Sequence, residues 1–310
     1  MAFRSLDNGL LEAHERPKKV PKLATAVAAK LGHRTSENTE PAMTPMAAEQ
    51  SLEYLSSEDL KPLKDPDAKI MNLLNELDSK DWTKVCKALN DVRRFALHHA
   101  HLLLPILEQS LLVIVKAMKN PRSALCKTAI MTATDIFKSF GHLLMSLSNE
   151  TVAFDNMLLQ LLLKASQDKK FVCEEAEKAL ETMVGSITPL PLLNKLQSYV
   201  SHSNLRVRAK AAVVISNCIS RMGFEVIKEF GLAPLLQISA DLLNDKLPEA
   251  REAARSIICS IYLGYLKTAN DDSKNDENGD GSAAARLWHE LCSFNLPPIA
   301  AVSVEKIVLQ

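Results

Sequence analysis

From residue 63 onwards the sequence predicts helices in pairs, with a short polar turn between the two members of each pair. In the first pair, Asp65 and Pro66 supply an N-cap and then a proline at the first helical position. Apolar residues then recur at helical spacing from Ile70 to Leu77, and the turn DSKD leads into the second helix. One such hairpin cannot bury its apolar face alone, so the pattern predicts a stack of similar units.

The same pattern recurs along the rest of the chain. The second helices of the first five pairs begin near residues 82, 122, 171, 205 and 248, at intervals of 40, 49, 34 and 43 residues. These intervals are typical of HEAT and armadillo-like repeats, so the predicted fold is an all-α solenoid of about six helical hairpins. The helices predicted after the first pair are 102–119 with 122–140, 152–166 with 171–185, 190–202 with 205–222, 231–243 with 248–266, and 283–294 with 298–309.

Residues 1–62 lack this periodicity and have an uneven charge distribution. Segment 1–34 has seven Lys or Arg against three Asp or Glu, whereas segment 35–60 has six acids and no Lys or Arg. Such a segment buries too little apolar surface to offset its chain entropy, which predicts a mostly disordered tail. The folded domain is predicted to span 63–310, with an exposed acidic loop at 268–282.

Charge and cysteine content narrow the function classes. Lys plus Arg and Asp plus Glu both number 37, so no global basic excess favours a specific nucleic acid or an anionic membrane as the partner. The six cysteines are far apart, which is typical of reduced intracellular thiols. The N-terminus lacks an apolar signal region and the apolar runs are short, so we expect a cytoplasmic or nuclear protein without membrane insertion.

Two patterns resemble metal sites but are incomplete. The order D-x-N-x-D-G at 276–281 imitates the start of a calcium loop, but Leu287 occupies the position of the bidentate glutamate. His98, His99 and His101 point in different directions on a helix and have no acid or cysteine nearby. The chain also lacks GxSxG, P-loop, GxGxxG and HExxH motifs. We therefore expect no enzyme activity, no cofactor and no metal.

The turns inside the hairpins carry the most consistent functional signal. Equivalent turns of stacked hairpins align along one edge of a solenoid. Each of the five turns contains or borders a Lys or Arg, and the first also contains Trp82. Turns are commonly polar, but a basic residue in all five favours an edge that binds an acidic protein surface. The turns read SKDW at 79–82, KNPR at 119–122, DKKF at 168–171, SNLRVR at 203–208 and DKLP at 245–248.

Five segments around these turns match one family pattern. They are S-x-DW followed by AL at 79–89, NPR at 120–122, DKKFVCEEAEKAL at 168–180, NLRVRAKAA at 204–212 and DKLPEAREAAR at 245–255. In order and spacing they resemble TOG domains, in particular those of the CLASP type. The resemblance covers residues 66–310, the whole predicted folded part.

The resemblance implies a flat paddle of six HEAT-like hairpins whose loops bind tubulin or microtubules. It implies an apolar contact by a tryptophan of the first loop and contacts between later basic loops and acidic tubulin. The tubulin-binding residues it implies are Trp82, Arg122, Lys169, Lys170, Asn204, Leu205, Arg206, Arg208, Lys246 and Arg251. It also implies a microtubule-associated location, and the basic segment 1–34 is a candidate for an additional protein contact.

Several alternatives remain open on the sequence alone. Trp82 lies in line with Leu89, so helical periodicity would place it in the core as readily as at a partner surface. Arg208 and Arg251 lie inside second helices, where an arginine often pairs with an acid of a neighbouring repeat. The whole chain could also be a general armadillo or HEAT adaptor that holds another protein on its helical face, or a regulatory subunit of an enzyme complex.

Overall fold

The computed structural model describes residues 54–147, 152–272 and 282–308, and these residues form helices and connecting loops without a strand. The α-helices are, in chain order, α1 (Pro66–Leu77), α2 (Trp82–His98), α3 (Ala100–Leu103), α4 (Leu107–Met118), α5 (Ser123–Leu147), α6 (Ala153–Ala165), α7 (Lys170–Ser186), α8 (Pro189–Gln197), α9 (Leu205–Arg221), α10 (Phe224–Phe230), α11 (Leu232–Leu243), α12 (Pro248–Asp272), α13 (Ser282–Asn295) and α14 (Pro298–Val308). Short 3-10 turns at Leu104–Ile106 and Ser198–Ser201 join α3 to α4 and extend α8.

The helices form two layers. The second helices of successive hairpins pack side by side, α2 against α5, α5 against α7, α7 against α9 and α9 against α12, while α4 and α6 pack in the other layer. A nearly continuous apolar core runs between the layers, from Leu73 to Val304. At Gly141 of α5 an added Cβ would lie 2.4 Å from the backbone oxygen of Ser186, so only glycine allows α5 and α7 to approach this closely.

The predicted solenoid of helical hairpins is confirmed, with several corrected boundaries. The single helix predicted at 102–119 is broken at 104–106, because Pro105 removes a backbone donor and favours a tight turn. The helix α10 was not predicted, and Gly231, with a φ of 109°, separates it from α11. Helix α12 continues to Asp272, so residues 268–272 of the predicted acidic loop are helical. Residues 273–281 of that loop lie outside the described residues.

The predicted tail boundary at residue 62 is also wrong, because residues 54–62 pack on α2 and α5. Leu60 is buried, and its carbonyl oxygen lies 2.7 Å from Nε2 of His98. Arg93 of α2 donates to the carbonyl oxygen of Leu55 at 2.9 Å, and the Ser57 hydroxyl donates to Asp135 at 2.6 Å. These attachments are mainly polar, which explains why apolar periodicity did not reveal them. The rest of the predicted tail, residues 1–53, lies outside the described residues.

Among the described residues, one helical run, Ala100–Met118, is long and apolar enough to cross a membrane by length and composition. Buried core helices also meet this criterion, and Leu103, Leu111 and Ile114 of this run are completely buried in the domain. The run is therefore only weak evidence for a membrane span.

All six cysteines are free thiols, as the sequence predicts. Cys86, Cys126, Cys218 and Cys292 are buried, and Cys173 and Cys259 are half-buried. Burial raises the pKa of both Cys218 and Cys292 to about 12, so these thiols stay protonated near neutral pH.

Candidate functional site

The loops inside the first five hairpins lie next to one another in chain order. We call them L1 (78–81), L2 (119–122), L3 (166–169), L4 (202–204) and L5 (244–247), and we call these loops together with the first turns of α2, α5, α7, α9 and α12 the loop edge. At one end, the guanidinium carbon of Arg122 lies 5.9 Å from the ring centroid of Trp82, which joins L2 to L1. The Lys169 ammonium donates to the hydroxyl of Ser123 at 3.0 Å and joins L3 to L2.

The contacts continue along the other half of the loop edge. Nη1 of Arg206 donates to the Asp168 carboxylate at 2.8 Å, and Nε of Arg208 donates to the Asp245 carboxylate at 2.6 Å. Arg206 and Arg208 lie in the first turn of α9, so this turn is joined to L3 and to L5. Because side-chain contacts link each loop, or the first helical turn after it, to the next hairpin, the predicted alignment of the turns is present in the structure.

A common device fixes the backbone of four of the loops. A side-chain oxygen near the start of the second helix accepts a hydrogen bond from a backbone N–H two residues later, as expected for Asx caps and turns. In L1, Asp81 accepts from Thr83 at 2.9 Å, and in L4, Asn204 accepts from Arg206 at 3.0 Å. The corresponding acceptors in L2 and L5 are Asn120 and Asp245. The amide oxygen of Asn204, a predicted site residue, therefore caps α9.

Trp82 is half-buried. The sequence allowed a position in the core or at a partner surface, and the observed position is intermediate between the two. Its ring packs against the core of the first two hairpins and also forms one wall of a pocket between L1 and L2. The Arg122 guanidinium above the ring is within the distance of a cation–π contact. Trp82 therefore contributes to the core and to the loop edge at the same time.

The other predicted site residues fall into two groups. Arg122, Lys169, Lys170, Arg206 and Lys246 are exposed, and the ion pairs that Lys170 and Arg206 form with Glu174 and Asp168 lie in solvent. Exposed pairs of this kind contribute little and exchange readily, so these cations can meet a partner. Leu205 is half-buried at the start of α9.

Arg208 and Arg251 have a different geometry, because they hold L5 in place. The Arg208 side chain is 21% exposed and contacts an Asp245 side chain that is 3% exposed. Nη1 of Arg251 donates to the carbonyl oxygens of Asp245 at 2.8 Å and of Lys246 at 3.1 Å. These contacts give both arginines a role in shaping the loop edge.

Asp245 is the centre of this arrangement. Burial alone would raise the pKa of its carboxyl group, but the Leu247 backbone N–H and the Arg208 guanidinium outweigh that effect and lower the pKa below its ordinary value of 3.8. The ionised carboxylate therefore stabilises the folded state. That contribution is complete above pH 3.8 and is lost as the pH falls through the lowered pKa.

We expect Asp245→Asn to lower the free energy of unfolding by about 2 kcal/mol at neutral pH, because hydrogen bonds to a charged group are lost. The difference from the wild type should shrink as the pH falls below 3.8 and should vanish below the lowered pKa of Asp245, where the wild-type carboxylate is protonated in the folded state too. Urea unfolding at a series of pH values measures it. The matched control is Asp78→Asn, since Asp78 forms an exposed pair with Lys116 and its removal should change stability little.

Sequence reasoning missed the residues that connect the loops. Ser123 and Asp168 accept from cations of the following loops, and Lys116 lies close to L1 through its 3.0 Å contact with Asp78. The sequence contains little evidence for these contacts, because the two residues of each contact lie about one repeat apart and only the stacking of the repeats brings them together. Among the described residues, no three His, Cys, Asp or Glu side chains form a group that could hold a metal ion.

Comparison with known proteins identifies the family and the fold of the chain. The model of the family described as CLASP N terminal matches residues 73–279, more than half of the chain. TOG array regulator of axonemal microtubules protein 1 from Mus musculus is 30% identical over 219 residues, which are 69% of this chain and 12% of the mouse protein. The Homo sapiens protein of the same name is 30% identical over 159 residues, 50% of this chain and 9% of the human protein. The chain thus matches only a small part of these relatives.

Two solved structures have a similar fold at low sequence identity. The TOG domain of Zyg9 from C. elegans has a TM-score of 0.51 and 18% identity, with 67% of this chain and 83% of that chain covered. A structure from a study of microtubule plus end tracking by XMAP215, CLIP-170 and EB1 has a TM-score of 0.53 and 15% identity, with 81% and 94% covered. Together with the family match, these similarities confirm the resemblance seen in the sequence. The chain belongs to the CLASP N-terminal family, and its helical domain has the TOG fold.

Proposed function

We propose that this domain binds tubulin, free or in microtubules, through the loop edge, and that it acts in microtubule organisation or dynamics without catalysing a reaction. The observation that carries the proposal is the order of the loop edge: five adjacent loops that, with the first helical turns after them, present a row of exposed cations and one tryptophan at the end. Membership of the CLASP N-terminal family supports the same function. So do the names of the two relatives, which refer to TOG arrays and axonemal microtubules.

The physical chemistry of the loop edge suits an acidic protein surface. The chain has equal numbers of acidic and basic residues, yet its cations recur at one edge of the domain. Complementary charges accelerate encounter and set orientation, and salt screens them beyond about 8–10 Å. A half-buried aromatic ring at one end of this row of charges supplies an apolar contact, and aromatic residues are common hot spots of interfaces. The proposal therefore predicts binding that weakens with salt.

The proposed location is the cytoplasm, in association with microtubules. The basic segment 1–34 is a further part of the proposal, because its positive charge would be attracted to an acidic polymer surface.

The charge-reversal variant Lys169→Glu/Lys170→Glu should weaken tubulin binding on the order of tenfold, because it replaces two attractive charges on L3 and α7 by repulsive ones. The salt dependence of the remaining binding should also become flatter. Gel filtration with free tubulin and co-sedimentation with microtubules measure both effects.

Lys61→Glu/Lys64→Glu is the matched control. It changes the net charge equally, and both lysines are exposed near the far end of α2, where Leu60 contacts His98. The control should bind like the wild type. If the wild type binds neither free tubulin nor microtubules at low salt, the proposed function is wrong.

A further inference from the structure

A small pocket opens on the loop edge between L1 and L2. Its volume is about 120 Å³, and Trp82 forms one wall. The interior is lined by buried apolar residues from four helices, Leu77 of α1, Val85 of α2, Ala117 of α4 and Leu125 of α5. The pocket is thus a gap in the packing of the first two hairpins that faces the partner side of the domain.

The rim of this pocket is basic. Lys80, Lys116 and Arg122 line it, together with the polar side chains of Ser79 and Asn120. Lys116 is paired with Asp78 at 3.0 Å, but the side chains of both residues are about three-quarters exposed, at 76% and 75%. Such an exposed pair is weak, so a carboxylate of a partner can take the place of Asp78 beside Lys116. An apolar interior with a basic rim fits an apolar side chain that has acidic neighbours.

The size of the pocket limits its occupant. Sites for drug-sized ligands or cofactors usually enclose about 300–1,000 Å³, which is well above the volume here. An apolar cavity of about 150 Å³ in another protein holds a single benzene molecule. A pocket of about 120 Å³ therefore suits one aliphatic side chain.

We infer that this pocket receives one apolar side chain from an acidic segment of the tubulin surface, with Trp82 as a wall and the rim cations on the flanking carboxylates. The inference rests on the proposed function and adds the chemistry of the contact. In this arrangement the indole of Trp82 lines a pocket of this domain that accepts a tubulin side chain. It does not project into a pocket of tubulin. A side chain that fills such a pocket is desolvated, as is typical of interface hot spots.

Filling the pocket from within tests the inference. In Ala117→Leu the larger side chain should occupy the cavity and weaken binding of purified tubulin at least fivefold, while the cations of L3, of L5 and of the first turns of α7 and α9 stay in place. In a Trp82→Ala background the same substitution should add little further weakening, because both changes disrupt one contact. Thermal unfolding of each variant checks the fold. Val113→Met, at a half-buried position on the same pocket, repeats the test with less crowding.

The outcomes separate the inference from the proposed function. If Ala117→Leu and Val113→Met bind like the wild type while Lys169→Glu/Lys170→Glu binds weakly, the pocket inference is wrong. Tubulin binding through the loop edge is then still supported. The pocket inference is also wrong if the two substitutions act independently, so that the increase in Kd of the Ala117→Leu/Trp82→Ala double variant equals the product of the two single increases. If the wild type does not bind tubulin, both the inference and the proposed function fail.

Discussion

Replacing Arg93 with methionine should lower the free energy of unfolding by about 3 kcal/mol, because it removes the closest cation, itself buried, from a buried carboxylate. That carboxylate keeps the Ser57 hydroxyl and the half-exposed Lys138 at 3.7 Å. Arg93 is 1% exposed and its Nε donates to Asp135, which is 0% exposed, at 2.7 Å. The same guanidinium donates to Asn90 and to the carbonyl oxygen of Leu55. The loss therefore includes the attachment of residues 54–62. Urea unfolding followed by circular dichroism measures the effect.

Two variants control this result. Lys116→Met breaks an exposed ion pair and should change stability by no more than about 1 kcal/mol. Arg93→Met/Asp135→Leu removes both buried charges and should recover much of the loss, since an apolar pair of similar volume is often tolerated. An Arg93→Met variant that is within 1 kcal/mol of the wild type would contradict the structural role of this pair.

The largest effect on binding is expected for Trp82→Ala. It should cost about 2 kcal/mol of binding free energy, roughly a thirtyfold increase in Kd for tubulin, because a tryptophan that becomes desolvated in an interface is a typical hot spot. The substitution removes the ring beneath Arg122 and opens the pocket between L1 and L2. Equilibrium binding of labelled tubulin measures it.

Trp82 also packs against the core, so the binding loss must be separated from a loss of fold. Trp288→Phe provides the control, because Trp288 is buried in α13, outside the loop edge. This control should change thermal stability but leave the Kd for tubulin as it is. An unchanged Kd for Trp82→Ala, with the fold intact, would show that the indole only supports the core.

The hairpin architecture could be predicted because its signal is local. Apolar residues at helical spacing and prolines such as Pro66 and Pro248 at helix starts mark each element within one or two turns. The seven-residue helix α10 escaped because it is too short to show a clear period. The break at Pro105 escaped because apolar residues continue on both sides of it.

The candidate site could be predicted only in outline. The alignment of the turns follows from stacking, and the structure brings them together as expected. The sequence left a structural role for Arg208 and Arg251 open and could not name the partner, because Arg208 and Asp245 lie 37 residues apart and meet only after folding. The same is true of Arg93 and Asp135, which lie 42 residues apart. Long-range pairs of this kind leave no periodic pattern in one sequence.

Hydrogen exchange of the domain with and without a saturating amount of purified tubulin tests the central claim most directly. We predict slower exchange in L1 to L5 and in the first turns of the second helices, with no change at the far ends of those helices or in residues 54–62. The Trp82→Ala variant should show less protection at L1 and L2. Protection confined to the far ends of the helices or to residues 54–62, with exchange in L1 to L5 unchanged, would contradict binding through the loop edge.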